Sequence, residues 1–106
     1  MKEHALTDSN FDKETTACKT PYMVEFFATW CGHCQHMAPV IKEVAKEMDG
    51  RVKVFIADVD EAPKTTSDFN VSGTPTMILF KNNKTVKEIV GERAKEDLIE
   101  ALEALL

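Results

Sequence analysis

Met23-Val24-Glu25-Phe26-Phe27-Ala28-Thr29-Trp30-Cys31-Gly32-His33-Cys34 is the stretch on which the reading of the whole chain turns. Its first half is apolar except for Glu25 and reads as a buried strand. Beyond Cys34, the residues Met37, Val40, Ile41, Val44, Ala45 and Met48 recur at spacings of three and four, which is the apolar face of an amphipathic helix. The chain therefore passes from strand to helix with two thiols three residues apart at the junction. Cys31 falls at the helix N-terminus, where unpaired backbone N–H groups and the positive end of the helix dipole stabilise an anion. A thiolate is such an anion, and reversible disulfide exchange between Cys31 and Cys34 is the chemistry this arrangement predicts.

The bulk properties narrow the field. At 106 residues and 43% apolar, the chain is sized for one domain, 1–106, with its own core. Its 13 Lys and Arg against 18 Asp and Glu give a net charge of −5 without a basic cluster, so no nucleic-acid partner is expected. No segment approaches the roughly 20 apolar residues of a membrane span, and the first residues hold no apolar run of signal-peptide length. A cytoplasmic location is the expectation, although a chain shorn of a leader reads the same way. The 3 cysteines are too few and too unevenly spaced for the staples of a small secreted fold, which favours catalytic use of the pair. Cys18 is expected to pack as a small apolar residue at a helix end.

Around the central unit the pattern alternates. A short strand near Leu6 precedes a helix capped by Asp8 or Ser9 and running to about Ala17, with Phe11 as its anchor. Residues 22–28 form the second strand. The helix over 34–48 stops at Asp49-Gly50, and Pro39 within it predicts a kink. Residues 52–57 form a third strand, and a short helix starts near Pro63. Two further strands, 76–80 and 85–90, flank Lys81-Asn82-Asn83-Lys84 as an antiparallel hairpin. A last helix from Ala94 places Leu98, Ile99, Leu102, Leu105 and Leu106 on one stripe. With strands two and three joined by a right-handed crossover, the expected fold class is α/β, a mixed central sheet with helices on both faces.

On these residues the chain resembles the thioredoxin superfamily. The resemblance rests on Phe26-Phe27-Ala28-Thr29-Trp30-Cys31-Gly32-His33-Cys34, on Pro39, on Val71-Ser72-Gly73-Thr74-Pro75-Thr76 and on Val90-Gly91 before the last helix. It covers the whole chain. The Gly32-His33 pair looks like protein disulfide isomerase domains, whereas the usual bacterial thioredoxin has Gly-Pro there; the single-domain length looks like thioredoxin. The resemblance implies that Cys31 attacks the substrate disulfide and Cys34 resolves the mixed disulfide. Both requirements agree with chemistry, since exchange needs a thiolate to attack and a low-pKa thiol to leave. His33 is expected to tune Cys31 by charge or hydrogen bonding and to make the potential less negative than that of a Gly-Pro thioredoxin. Glu25, the one charge in its strand, is expected to be buried with a raised pKa and, by the resemblance, to take the proton of Cys34. The family often pairs that acid with a lysine on the third strand; Ile56 stands there instead, which makes Glu25 harder to ionise.

The resemblance also implies a cis peptide bond before Pro75, a backbone at Thr74 that binds an extended substrate by strand-like hydrogen bonds, and Trp30 as part of the substrate surface with Gly73 and Gly91. Asp60 is a possible acceptor for the Trp30 indole. Rival chemistries fit less well. Cys31, Cys34, His33 and His36 are zinc-ligand types, but no second CxxC or HxxxH supplies a closed set. Gln35 stands where c-type haem attachment needs His. No metal and no cofactor are expected, and a redox-silent binding module would have no use for both cysteines. The expected partners are disulfide-containing proteins and a flavin-dependent reductase, with the chain acting as a monomer. An oxidase or isomerase in an oxidising compartment is the alternative direction.

Overall fold

The computed structural model describes residues 3–106. Its elements run β1 (Glu3–Leu6), α1 (Phe11–Ala17), β2 (Tyr22–Phe27), α2 (Gly32–Glu47), β3 (Lys53–Asp58), α3 (Pro63–Asp68), β4 (Thr76–Lys81), β5 (Lys84–Val90) and α4 (Lys95–Glu103). The strands form one five-stranded sheet in the order β1-β3-β2-β4-β5. β3 is parallel to both β1 and β2, whereas β4 is antiparallel to β2 and β5. The mixed sheet with helices on both faces is as the sequence predicts.

Strand pleating distributes the core. Successive side chains of a strand point to opposite faces, so Tyr22, Val24 and Phe26 enter one layer while Met23 enters the other. The first layer lies against α1 and α3 and gathers Phe55, Ile78 and Phe80, with Phe11 and Phe69 packed on it. The second joins Met23, Val54, Met77 and Leu79 to Met37, Ile41 and Val44 of α2 and to Leu98 and Leu102 of α4. Glu25 shares the pleat of Met23 and therefore faces α2. This parity places a carboxyl beneath the cysteine helix.

Several local expectations change. Asp8 does not cap α1: the N-cap is Asn10, whose Oδ1 accepts from the Thr7 N–H at 2.7 Å. The Asp8 carboxylate instead accepts from the N–H groups of Lys64 and Thr65 and from the Thr65 hydroxyl, at 2.8–3.0 Å. It thus satisfies the first turn of α3, 56 residues away, where N–H groups lack helical acceptors. α2 starts at Gly32, two residues before the predicted start, with Cys31 as its N-cap; glycine is tolerated at helix starts and its own low propensity obscures them. The helix continues through Pro39, which lacks the N–H for the Gln35 carbonyl. α4 ends at Glu103, and Leu106 lies outside it, 56% exposed, unlike buried Leu105. Cys18 is half-buried at the C-cap of α1 and packs on the first core layer, as expected. The hairpin turns at Asn82 and Asn83, both with positive φ, 55° and 61°, a conformation Asn tolerates better than most residues.

Candidate active site

Cys31 and Cys34 are one helical turn apart and differ in depth. Cys31 has extended backbone angles, φ −94° and ψ 120°, and its carbonyl accepts the Gln35 N–H at 3.1 Å. Its sulfur is half-exposed and meets the loop before β4, donating to the Thr74 carbonyl at 3.5 Å. The Thr74–Pro75 peptide is cis. Cys34 is 5% exposed.

Their surroundings push the two thiols in opposite directions. Hydrogen bonding from the Thr74 side chain, then from the backbone and thiol of Cys34, with a smaller part from the His33 backbone, outweighs desolvation and lowers the Cys31 pKa from 9.0 to about 7. Donors to a sulfur favour its charged form. Burial pushes the Cys34 thiol up, and its hydrogen bond to Cys31 adds to this. Their environments thus favour the thiolate at Cys31 and the protonated thiol at Cys34.

Below Cys34 lies Glu25, 3% exposed. A cavity of about 100 Å³ connects them, lined also by Ala38, Ile41, Lys42 and Ile56. Glu25 Oε2 is buried and makes no hydrogen bond. Desolvation, followed by the charge of Cys31, raises the carboxyl pKa from 4.5 to about 7. The strand register pairs Glu25 directly with Ile56, so the neighbouring strand supplies no cation to oppose that shift.

The rim is built from four loops. Trp30 is 72% exposed and its indole N–H donates to Asp60 Oδ2 at 3.2 Å, which holds a large apolar surface beside Cys31. The Gly91 N–H donates to the Pro75 carbonyl at 2.8 Å, tying the turn after β5 to the cis loop. Gly91 has φ +94°, a backbone conformation that favours glycine. The Thr76 hydroxyl donates to the Gly73 carbonyl at 2.6 Å and closes the same loop. Gly32 has open space around it.

His33 departs from expectation in its partner. Its Nδ1 hydrogen-bonds Glu92 Oε2, and this contact, more than the charge of Cys31, raises the imidazole pKa. His36 Nδ1 lies 3.4 Å from the same oxygen. The imidazole is thus anchored to a carboxylate and reaches Cys31 by charge alone, while the direct contact comes from the His33 backbone. Nothing in the sequence around Glu92 signals this; it is 59 residues from His33, in the turn whose Gly91 is bonded to Pro75.

The comparisons agree with this geometry. The family model described as Thioredoxin matches residues 2–104. A thioredoxin of Staphylococcus saprophyticus is 43% identical over 98 residues, 92% of either chain. One of Alicyclobacillus acidocaldarius is 45% identical over 93 residues, 88% of either chain. One of Rickettsia prowazekii is 39% identical over 95 residues, 90% of either chain. With a paired dithiol at the start of α2 and that match over nearly its whole length, the chain belongs to the thioredoxin family of protein-disulfide oxidoreductases.

Proposed function

We propose that this oxidoreductase works as a monomeric reductase of disulfides in other proteins, in the cytoplasm, and that a flavin-dependent reductase restores its dithiol. The observation that carries the reading is the contrast in depth between the two sulfurs, with Cys31 against Thr74 at the surface and Cys34 buried behind it. The Cys31 thiolate attacks one sulfur of the substrate disulfide, forming a mixed disulfide and releasing the other as a thiolate that takes up a proton. Cys34 then loses its proton and attacks Cys31, closing the Cys31–Cys34 disulfide and releasing the second substrate thiol. Two electrons leave the protein dithiol and two thiols appear in the substrate. The regenerating reductase returns two electrons and two protons.

Position supports a role for each residue. Glu25, with space for water between its carboxyl and Cys34, accepts the Cys34 proton. The Thr74 backbone and the surface of Trp30, Gly73, Pro75 and Gly91 receive an extended substrate segment. Gly32 and His33, between the two cysteines, tune the pair, His33 by its charge. A reducing compartment favours this direction over oxidation or isomerisation, and no helix among the described residues is long and apolar enough to cross a membrane.

Reduction of insulin disulfides with dithiothreitol as donor tests the reading. Accelerated precipitation that disappears when Cys31 is alkylated is the expected result; an equal rate with the alkylated protein overturns it. The redox potential against a glutathione series decides the direction, with a strongly oxidising value favouring the alternative role of oxidase.

A further inference from the structure

The geometry points to a divalent transition-metal site formed by His33, His36 and Glu92 at the lip of the active site, with an imidazole–imidazole–carboxylate donor set suited to Zn2+. His33 and His36 are three residues apart in α2 and so share one helix face. Glu92 reaches them from the turn between β5 and α4. One ligand atom from each of the three lies within 4.8 Å of the others. Both Nδ1 atoms already address a single carboxylate oxygen. Zinc bonds of about 2.0–2.2 Å to nitrogen and oxygen put the three donors of a tetrahedral ion a little over 3 Å apart, so small rotations of exposed side chains suffice. Two imidazoles with one carboxylate favour zinc, copper or nickel over magnesium or calcium, which prefer all-oxygen shells. A three-ligand set leaves a fourth position for water, the open form of zinc site. The chain's net charge of −5 adds a general attraction for cations. In sequence, the two histidines have only the active-site cysteines as neighbouring ligands; the tertiary fold supplies a third donor and leaves the thiols free.

Zinc titration of the oxidised protein tests this independently of the dithiol chemistry, because the Cys31–Cys34 disulfide cannot offer a thiolate and Cys18→Ser removes the remaining thiol. Calorimetry should show one Zn2+ per chain, with the ring resonances of His33 and His36 shifting together in NMR spectra and those of His4 unmoved. Glu92→Gln and His36→Gln, both at exposed positions, should each weaken binding by at least about tenfold, the loss that even an outer-shell partner of a metal causes. His4→Gln should leave it unchanged. Absence of saturable binding, or binding that survives both Glu92→Gln and His36→Gln, overturns the assignment.

Discussion

The lip and the floor of the active site hold the same kinds of group under opposite conditions. At the lip, Cys31 is half-exposed, receives hydrogen bonds and has its pKa lowered to about 7. On the floor, Cys34 and Glu25 are buried, and desolvation raises both. One turn of helix separates the two thiols, so the difference arises from solvent and partners rather than from the residues themselves. What it teaches is that depth alone separates two like thiols: solvent and hydrogen bonds favour the thiolate at Cys31, while burial favours the protonated thiol at Cys34, the contrast on which the proposed roles of attacking and resolving sulfur rest.

The sharpest way to break that contrast is to remove each sulfur in turn. Cys34→Ser should form a mixed disulfide with substrate that accumulates and does not turn over, while Cys31→Ser should form none; gel analysis without reductant distinguishes them, and equal trapping by both variants would erase the distinction. Glu25→Gln comes next. General base catalysis contributes about a hundredfold or more, so at pH 8 release of the mixed disulfide should slow by that order in single-turnover kinetics. In the parent protein the same step should rise through pH 7 as the carboxyl ionises.

Stability should register the floor as well. The folded-state pKa of Glu25 lies above its ordinary value of 4.5, so its favourable contribution is fully present below that value and is lost as pH rises through about 7. Compared with Glu25→Gln, which does not titrate, the parent should therefore lose on the order of 3 kcal/mol of relative stability between pH 4 and pH 8; parallel urea-denaturation curves across that range would contradict the buried charge. A smaller change tests the missing cation. Ile56→Lys places an ammonium in register with Glu25 and should lower the carboxyl midpoint by about one unit or more, followed by carbonyl infrared absorption. The smallest effect belongs to the lip: Thr74→Val should raise the Cys31 midpoint by about half a unit to one unit, the scale of one hydrogen bond. Thiolate absorbance in chelator-treated buffer measures it.

Local pattern made much of this legible. The apolar run through Met23–Phe27 contains one acid, and alternation along a strand forces that acid to one face or the other. The apolar spacing after Cys34 fixed the helix, and the Asn82-Asn83 pair fixed the hairpin through its tolerance of positive φ. Helix caps were harder. Asp8 sits where an α1 cap belongs, yet its carboxylate serves Lys64 and Thr65, because a short side chain near a helix start bonds whichever unpaired N–H groups the fold brings close. Leu106 continues the spacing of α4 by number alone; the helix has ended before it.

By itself, the sequence determined the dithiol, its place between a buried strand and an amphipathic helix, and the solitary acid within that strand, since each depends on neighbours within a few residues along the chain. Only the tertiary structure decided how deep Cys34 lies, that Thr74 meets Cys31, and that Glu92 gathers His33 and His36. Those contacts join segments 43 to 59 residues apart, and no local spacing encodes them. They follow from the order of the strands in the sheet, which brings the loops after β2, α3 and β5 to a common end of it.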